Sequence, residues 1–595
     1  MKLKDAIRTM LFKNKLTGYN QLMTKWGEEL DVENVLAEYP RPQLVRDNYT
    51  ILNGYWNYSI TEGDIRPENF DGKILVPFSP ESILSGVNRQ LKPNQTLWYE
   101  REFYIGKIPD NKLCILHFGA VDQSCKVYIN KELVGEHTGG YLPFSIDITR
   151  YIKNGTNLLT VSVTDKSDTS YHSRGKQKLK RGGMFYTAQS GIWQTVWMEW
   201  VPSLYIRNLR ITPIMKENLV RIEIMMNDDF LPENADNAVF YVNIYDKYKL
   251  LATASSSVPV INISFSDYIP WSPENPYLYD LMITVGEDRV WSYFAMRMVE
   301  IQNDEKGIPR IYLNGKPYFQ KGLLDQGYWP DGLYTPPSDE ALVYDIMKAK
   351  ELGFNMLRKH LKIEPLRWYY HCDRLGMLVW QDMVNGGDEY NMILVGYIPT
   401  AFPGFARLFK DHHYRWLARK SKACREEWIK ECTQTVELLY NRPSVIVWVL
   451  FNEAWGQFDS VRAYEMVKEL DPGRLVDHAS GWFDQGCGDF ISIHNYFHPL
   501  KVKPHKYPTV LSEYGGYAYY VKDHSYSLFV YGYRLYASQK DFIKAYKELD
   551  EKVNKLIEQG LAAAVYTQLS DVEDEVNGLL TYDRKICKLE GMESL

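Results

Sequence analysis

Between about residue 40 and residue 300 the chain consists of short runs in which apolar and polar positions alternate. Leu52–Tyr58, Gly72–Pro77, Leu97–Tyr104, Leu113–Gly119 and Lys126–Asn130 are examples, and Gly, Pro and Asn separate them. A period of two interrupted by turn residues at near-regular intervals predicts antiparallel strands stacked as a sandwich. Pro202 opens a second all-β stretch that runs to about Glu300, with strands such as Val220–Ile224 and Val239–Tyr245. After Asn314-Gly315 the pattern changes to strand and helix in alternation. Eight strands are expected there, at Tyr318–Leu324, Phe354–His360, Met377–Met383, Val445–Glu453, Leu475–Ala479, Ile491–Tyr496, Thr509–Glu513 and Leu561–Leu569. Helical patterns lie between several of them; in Ser338–Leu352, Ser338 supplies an N-terminal cap and Gly353 a stop. Eight such units in about 290 residues predict a (β/α)8 barrel with insertions, the main one basic and aromatic, from about Asp388 to Lys420.

Composition narrows the function classes. A chain of 595 residues needs several cores. A net charge of −6 offers nothing to nucleic acid or an anionic membrane, and no apolar window is long enough for a spanning helix. Asp5 and Arg8 interrupt the N-terminus, so no signal peptide is read. The seven cysteines are odd in number and lack CxxC spacing, which points to reduced thiols in a cytoplasmic enzyme without zinc. The 14 % aromatic content suits sugar stacking as well as core filling, so it adds little by itself.

The chemistry lies at two strand ends. Val445-Ile-Val-Trp-Val-Leu-Phe451 is an apolar run closed by Asn452-Glu453-Ala-Trp455-Gly456, and Thr509-Val-Leu-Ser-Glu513 is a second, closed by Tyr514-Gly-Gly. A carboxylate at the end of a buried strand is costly to desolvate unless it faces a cleft, and barrel enzymes place catalytic groups at the C-terminal ends of strands. Two carboxylates delivered this way are what glycosidic bond cleavage requires: one protonated to assist the leaving oxygen, one ionised to attack or to activate water.

These stretches resemble the family-2 glycoside hydrolases, which include β-galactosidases, β-glucuronidases and β-mannosidases, and the resemblance runs from about Trp26 to the C-terminus. Phe118–Asp122, His137–Phe144 and Ser190–Trp197 are similar to the family's jelly-roll domain, and Trp271–Asp280 to the end of its immunoglobulin-like spacer. The organisation implied is a leader of unknown structure over 1–19, a jelly-roll sandwich over 20–201, an immunoglobulin-like sandwich over 202–302 and the catalytic barrel over 303–595. The resemblance implies Glu453 as acid/base, Glu513 as nucleophile, Asn452 on the sugar 2-hydroxyl, Arg358 as the cation beside the nucleophile and Tyr496 as its hydrogen-bond donor. Arg358, His360 and Lys362 alternate with Lys359 and Leu361, so they are expected on one side of the second strand. His360 follows Arg358 by two residues where the family has three, leaving it either a hydroxyl ligand or a structural histidine. Asp325, Gln326, His494, Trp455, Gln568 and Asp571 are further candidates for the sugar pocket.

Two departures shape the expected substrate. Trp380-Gln381-Asp382 and Asn385-Gly-Gly stand where the classical β-galactosidases hold magnesium with an acidic and His pair, so no metal and no cofactor is expected; His494, His498 and His505 lack the spacing of a metal site. Glu575, Val576 and Asn577 stand where the glucuronidases carry an Asn-x-Lys that grips the sugar carboxylate. The expected activity is therefore that of a retaining exo-β-glycosidase on a neutral sugar of galactoside or glucoside type. A β-glucuronidase and an inactive carbohydrate-binding homologue are the alternatives, and homo-oligomers are a candidate assembly. Asp574 and Glu575 read equally well as a solvated acidic turn.

Overall fold

The computed structural model describes residues 21–227, 238–503 and 505–591, so the leader expected over 1–19 lies outside the described residues. The first sandwich packs a six-stranded antiparallel sheet against a four-stranded one. Leu97, Tyr99, Phe103 and Ile105 stand two or four apart on Gln95–Ile105 and all enter the core between the sheets. That is the alternation expected of a strand with one face inward. The second sandwich stacks a three-stranded sheet on a four-stranded sheet; Val220, Ile222 and Ile224 point into its core while Arg221 and Glu223 face away.

The C-terminal part is a parallel eight-stranded barrel: β1 Gln320–Asp325, β2 Met356–Lys359, β3 Leu378–Asp382, β4 Val445–Val449, β5 Leu475–Asp477, β6 Ile491–Asn495, β7 Thr509–Tyr514 and β8 Leu561–Tyr566. The strands are hydrogen-bonded in the order β5-β4-β3-β2-β1-β8-β7-β6, which leaves β5 and β6 as the seam of a nearly closed barrel. Neighbouring residues on one strand feed different cores. Leu323, Leu357, Val379, Trp448 and Ala564 pack outward with helix residues such as Ile346, Trp368 and Phe542, while Leu324, Met356, Trp380, Val447 and Val565 pack together in another cluster. Burial on both faces is why β4 and β8 read as near-continuous apolar runs.

Helix α1, Asp339–Glu351, starts at Ser338, whose hydroxyl accepts from the Ala341 amide at 3.3 Å. The cap satisfies one of the amides that a helix start leaves unpaired. The strand ends shift from expectation, and three of the shifts bear on the site. β4 stops at Val449 rather than Glu453, because Glu453 and Ala454 take left-handed backbone angles, with φ of 49° and 59°. β8 stops at Tyr566, short of Leu569. β2 stops at Lys359, and Leu361 at φ 54° breaks the alternation that would have aligned Lys362 with Arg358 and His360. The insertion after β3 folds over the barrel mouth: Tyr390, Val395, Leu417 and Ala418 form one cluster with Trp455 and Trp482. No helix among the described residues is long and apolar enough to cross a membrane.

Candidate active site

Arg358, on β2, is fully buried and organises the barrel mouth. Its guanidinium donates to both oxygens of Asp382 on β3 (2.9 and 3.0 Å), to Glu513 Oε1 on β7 (3.2 Å), to the Ser512 carbonyl (3.0 Å) and to Asn452 Oδ1 after β4 (2.8 Å). The planar fork of arginine suits such divided work, which a lysine could not do. Asn452 Nδ2 is left without a protein partner among the described residues. On the other side of Glu513, the Tyr496 hydroxyl donates to Oε2 at 2.6 Å and lies 3.5 Å from Glu453 Oε1. Burial alone would push the Glu513 carboxyl up. The neighbouring side chains of His494, Arg358, His360 and Lys176 together outweigh burial and hold it down at about 2.

His494 stands between the two carboxylates, with Nδ1 2.8 Å from Glu453 Oε1 and Nε2 3.7 Å from Glu513 Oε1 and 2.9 Å from Ser480 Oγ. One oxygen of Glu453, one of Glu513 and a His494 nitrogen all lie within 4.8 Å of one another. Among the described residues this is the one such group of three, and it includes neither His498 nor His505. The fixed charge of Arg358 against Glu513 opposes a second cation there, so the trio suits proton handling rather than metal.

Other candidates distribute differently. His360 Nδ1 meets Asp382 Oδ2 at 2.6 Å; burial, with the positive charge of Lys176, keeps the ring well below its usual range and therefore neutral. Lys362 joins a separate network, correcting the expected alignment. Its Nζ donates to the Gly327 and Tyr334 carbonyls and, like Lys359, to Glu364, while Lys359 also pairs with Asp325 at 2.6 Å. Asp325 is thus held in a buried ion pair. Asp571 is likewise held by Lys588 at 2.6 Å and by the Gly578 amide, and burial pushes its carboxyl up to about 6; it closes the chain end onto the β8 exit. Gln326, Gln568, Asn577 and Glu575 form a hydrogen-bonded chain, ending on the Tyr186 hydroxyl of the first sandwich. Asp574 and Glu575 are about 99 % and 98 % buried, so the solvated-turn reading fails. Trp455 is stacked between Phe185 and Tyr390 at 5.4 and 5.8 Å.

Four pocket residues escaped the sequence reading. Tyr533 stacks on Tyr496 at 3.7 Å, Trp482 packs edge-on against His494, Asp382 anchors Arg358, and Lys176 arrives from the first sandwich. Asp382 was legible as the end of β3; nothing local marked the other three.

The family description "Glycosyl hydrolases family 2, sugar binding domain" matches residues 82–206, and "Glycosyl hydrolases family 2, TIM barrel domain" matches residues 309–588. The chain belongs to glycosyl hydrolase family 2. A β-galactosidase of Thermoanaerobacter pseudethanolicus is 24 % identical over 448 residues, covering 72 % of this chain and 55 % of that protein. A β-glucuronidase of Streptococcus agalactiae is 23 % identical over 463 residues, covering 73 % and 72 %. The solved β-D-glucuronidase of Dictyoglomus thermophilum shares the fold at a TM-score of 0.71 and 18 % identity, over 94 % of this chain and 99 % of that one. The chain spans about half the length of several curated relatives it matches.

Proposed function

We propose that this family-2 member is a retaining exo-β-glycosidase acting on a terminal neutral sugar. The observation that carries the reading is the carboxyl pair: oxygens of Glu453 and Glu513 come within 4.8 Å. Retaining enzymes hold their carboxyl groups about 5–5.5 Å apart, whereas inverting enzymes need about 6.5–9.5 Å to admit a water. Glu513, kept ionised, attacks the anomeric carbon while protonated Glu453 gives its proton to the departing oxygen. Glu453, now ionised, then takes a proton from water, which displaces Glu513 from the sugar. The free Asn452 Nδ2 is the donor for the 2-hydroxyl.

Neutrality of the sugar is supported by the surrounding charges. Arg358 and Lys362, the barrel cations that could otherwise read a uronate, are saturated by protein partners. Glu575 occupies the exit of β8, where a carboxylate would meet it. A binding protein built on an inert barrel is the rival reading, and turnover of any aryl β-glycoside excludes it.

A panel of nitrophenyl glycosides tests the reading. The best substrate is expected to be a neutral β-glycoside, with the β-glucuronide at least about fivefold poorer, since one close charge pair in a wet cleft is worth on the order of 1 kcal/mol or more. EDTA is expected to leave the rate unchanged. A glucuronide at the top of the panel would refute the neutral assignment, and loss of activity in EDTA would refute metal independence.

A further inference from the structure

The first sandwich reaches into the barrel through residues 171–187. The amides of Arg174 and Gly175 both donate to the Asn385 carbonyl, and the Gly387 amide donates back to Tyr171. Gly175, at φ 60°, lies so close to the barrel that a Cβ there would stand 2.8 Å from the Leu361 carbonyl, so any side chain would force the segment off its seat. This tight docking fixes the next residue, Lys176, whose carbonyl accepts from the Tyr186 amide. Lys176 is 92 % buried, with Nζ 5.6 Å from the centre of the Tyr186 ring and 5.9 Å from that of Trp455. Its ammonium makes no hydrogen bond or ion pair with any described residue. It is nevertheless close enough for its charge to act on Glu513, His360 and Asp382.

The Lys176 side chain is largely shielded from water and its ammonium has no protein acceptor among the described residues, so a ligand oxygen can supply what the protein withholds. The carboxyl groups at this end of the barrel other than the proton donor, Asp382, Glu513 and Glu575, already outnumber Arg358 and Lys176, so an anionic sugar would deepen the excess while a hydroxyl would not. We propose that Lys176 is a specificity residue supplied by the sandwich domain, donating a charge-assisted hydrogen bond to one hydroxyl of the terminal neutral sugar. The inference rests on the glycosidase reading and adds to it the group that recognises the glycone. It also makes the sandwich part of the pocket, since the barrel alone lacks this donor.

The test uses the full chain, K176M and K176R, with the best neutral aryl β-glycoside and its monodeoxy analogues. K176M is expected to lose about 10- to 100-fold in kcat/KM on the parent sugar, the range for a hydrogen bond to a charged group, and K176R to recover part of it. On the single analogue that lacks the contacted hydroxyl, K176M and the wild type should differ by less than about threefold. Full activity of K176M on the parent, an equal loss on every analogue, or a loss confined to uronides would each overturn the proposal. A wild type that prefers a uronide contradicts the neutral reading while leaving this comparison intact, and a wild type without turnover on any glycoside brings down the enzymatic reading and Lys176 with it.

Discussion

Replacing Glu513 by Gln is expected to reduce kcat/KM by at least about 10⁴-fold, roughly 5 kcal/mol of transition-state stabilisation, with the fold retained. The amide is nearly isosteric: its one oxygen can accept from Arg358, which now meets Oε1 at 3.2 Å, while its NH2 donates to the Tyr496 hydroxyl, which now donates to Oε2 at 2.6 Å. What disappears is the nucleophile. The same contacts predict the acid limb of the wild-type kcat/KM profile. A nucleophile held at about 2 by neighbouring positive charge stays ionised well below the ordinary carboxylate range, so acid inactivation near pH 4.5 cannot be its protonation. Near-wild-type turnover by E513Q, with circular dichroism and thermal midpoint unchanged, would remove Glu513 from the mechanism.

Replacing Glu453 by Ala is expected to separate the two steps. A nitrophenolate leaves with little help, so the glycosylation of Glu513 survives, whereas a poor alkoxide leaving group loses roughly 10²–10⁴-fold. Deglycosylation slows for every substrate because no base activates water, and azide, which needs no base, should restore the rate and yield a glycosyl azide of retained configuration. Glu453 is suited to this double role by where it stands. Its left-handed backbone turns it off the end of β4, towards His494 at 2.8 Å and the nucleophile beyond. Equal losses on good and poor leaving groups, with no response to azide, would show that Glu453 is neither acid nor base.

What could be read in the sequence follows from how local each signal is. The barrel was legible because strands such as β4 and β8, buried on both faces, read as apolar runs between helical patterns, and the two carboxylates because each follows or ends a mostly apolar strand. The sandwiches were legible from a period of two. The irregular backbone was not: Leu361 at φ 54° sends Lys362 to Glu364, and neither residue type announces a left-handed turn. Asp325 and Asp571 read as sugar-ligand candidates because each is an acid at a strand exit, and their pairing with the distant Lys359 and Lys588 had no local mark in the sequence. Lys176 illustrates the opposite failure. It lies in a loop of a different domain, and it enters the pocket only because Gly175 lets that loop sit against the barrel.

The central claim is that Glu513 forms a covalent bond to the sugar. An activated 2-deoxy-2-fluoro glycoside of the preferred neutral sugar slows deglycosylation and so accumulates the intermediate, which peptide mass spectrometry can locate. The account predicts one fluorosugar per chain, on the peptide that carries Glu513, with activity lost in step with labelling. A label on Glu453 or on any other residue, or a first-formed product of inverted anomeric configuration, would contradict it.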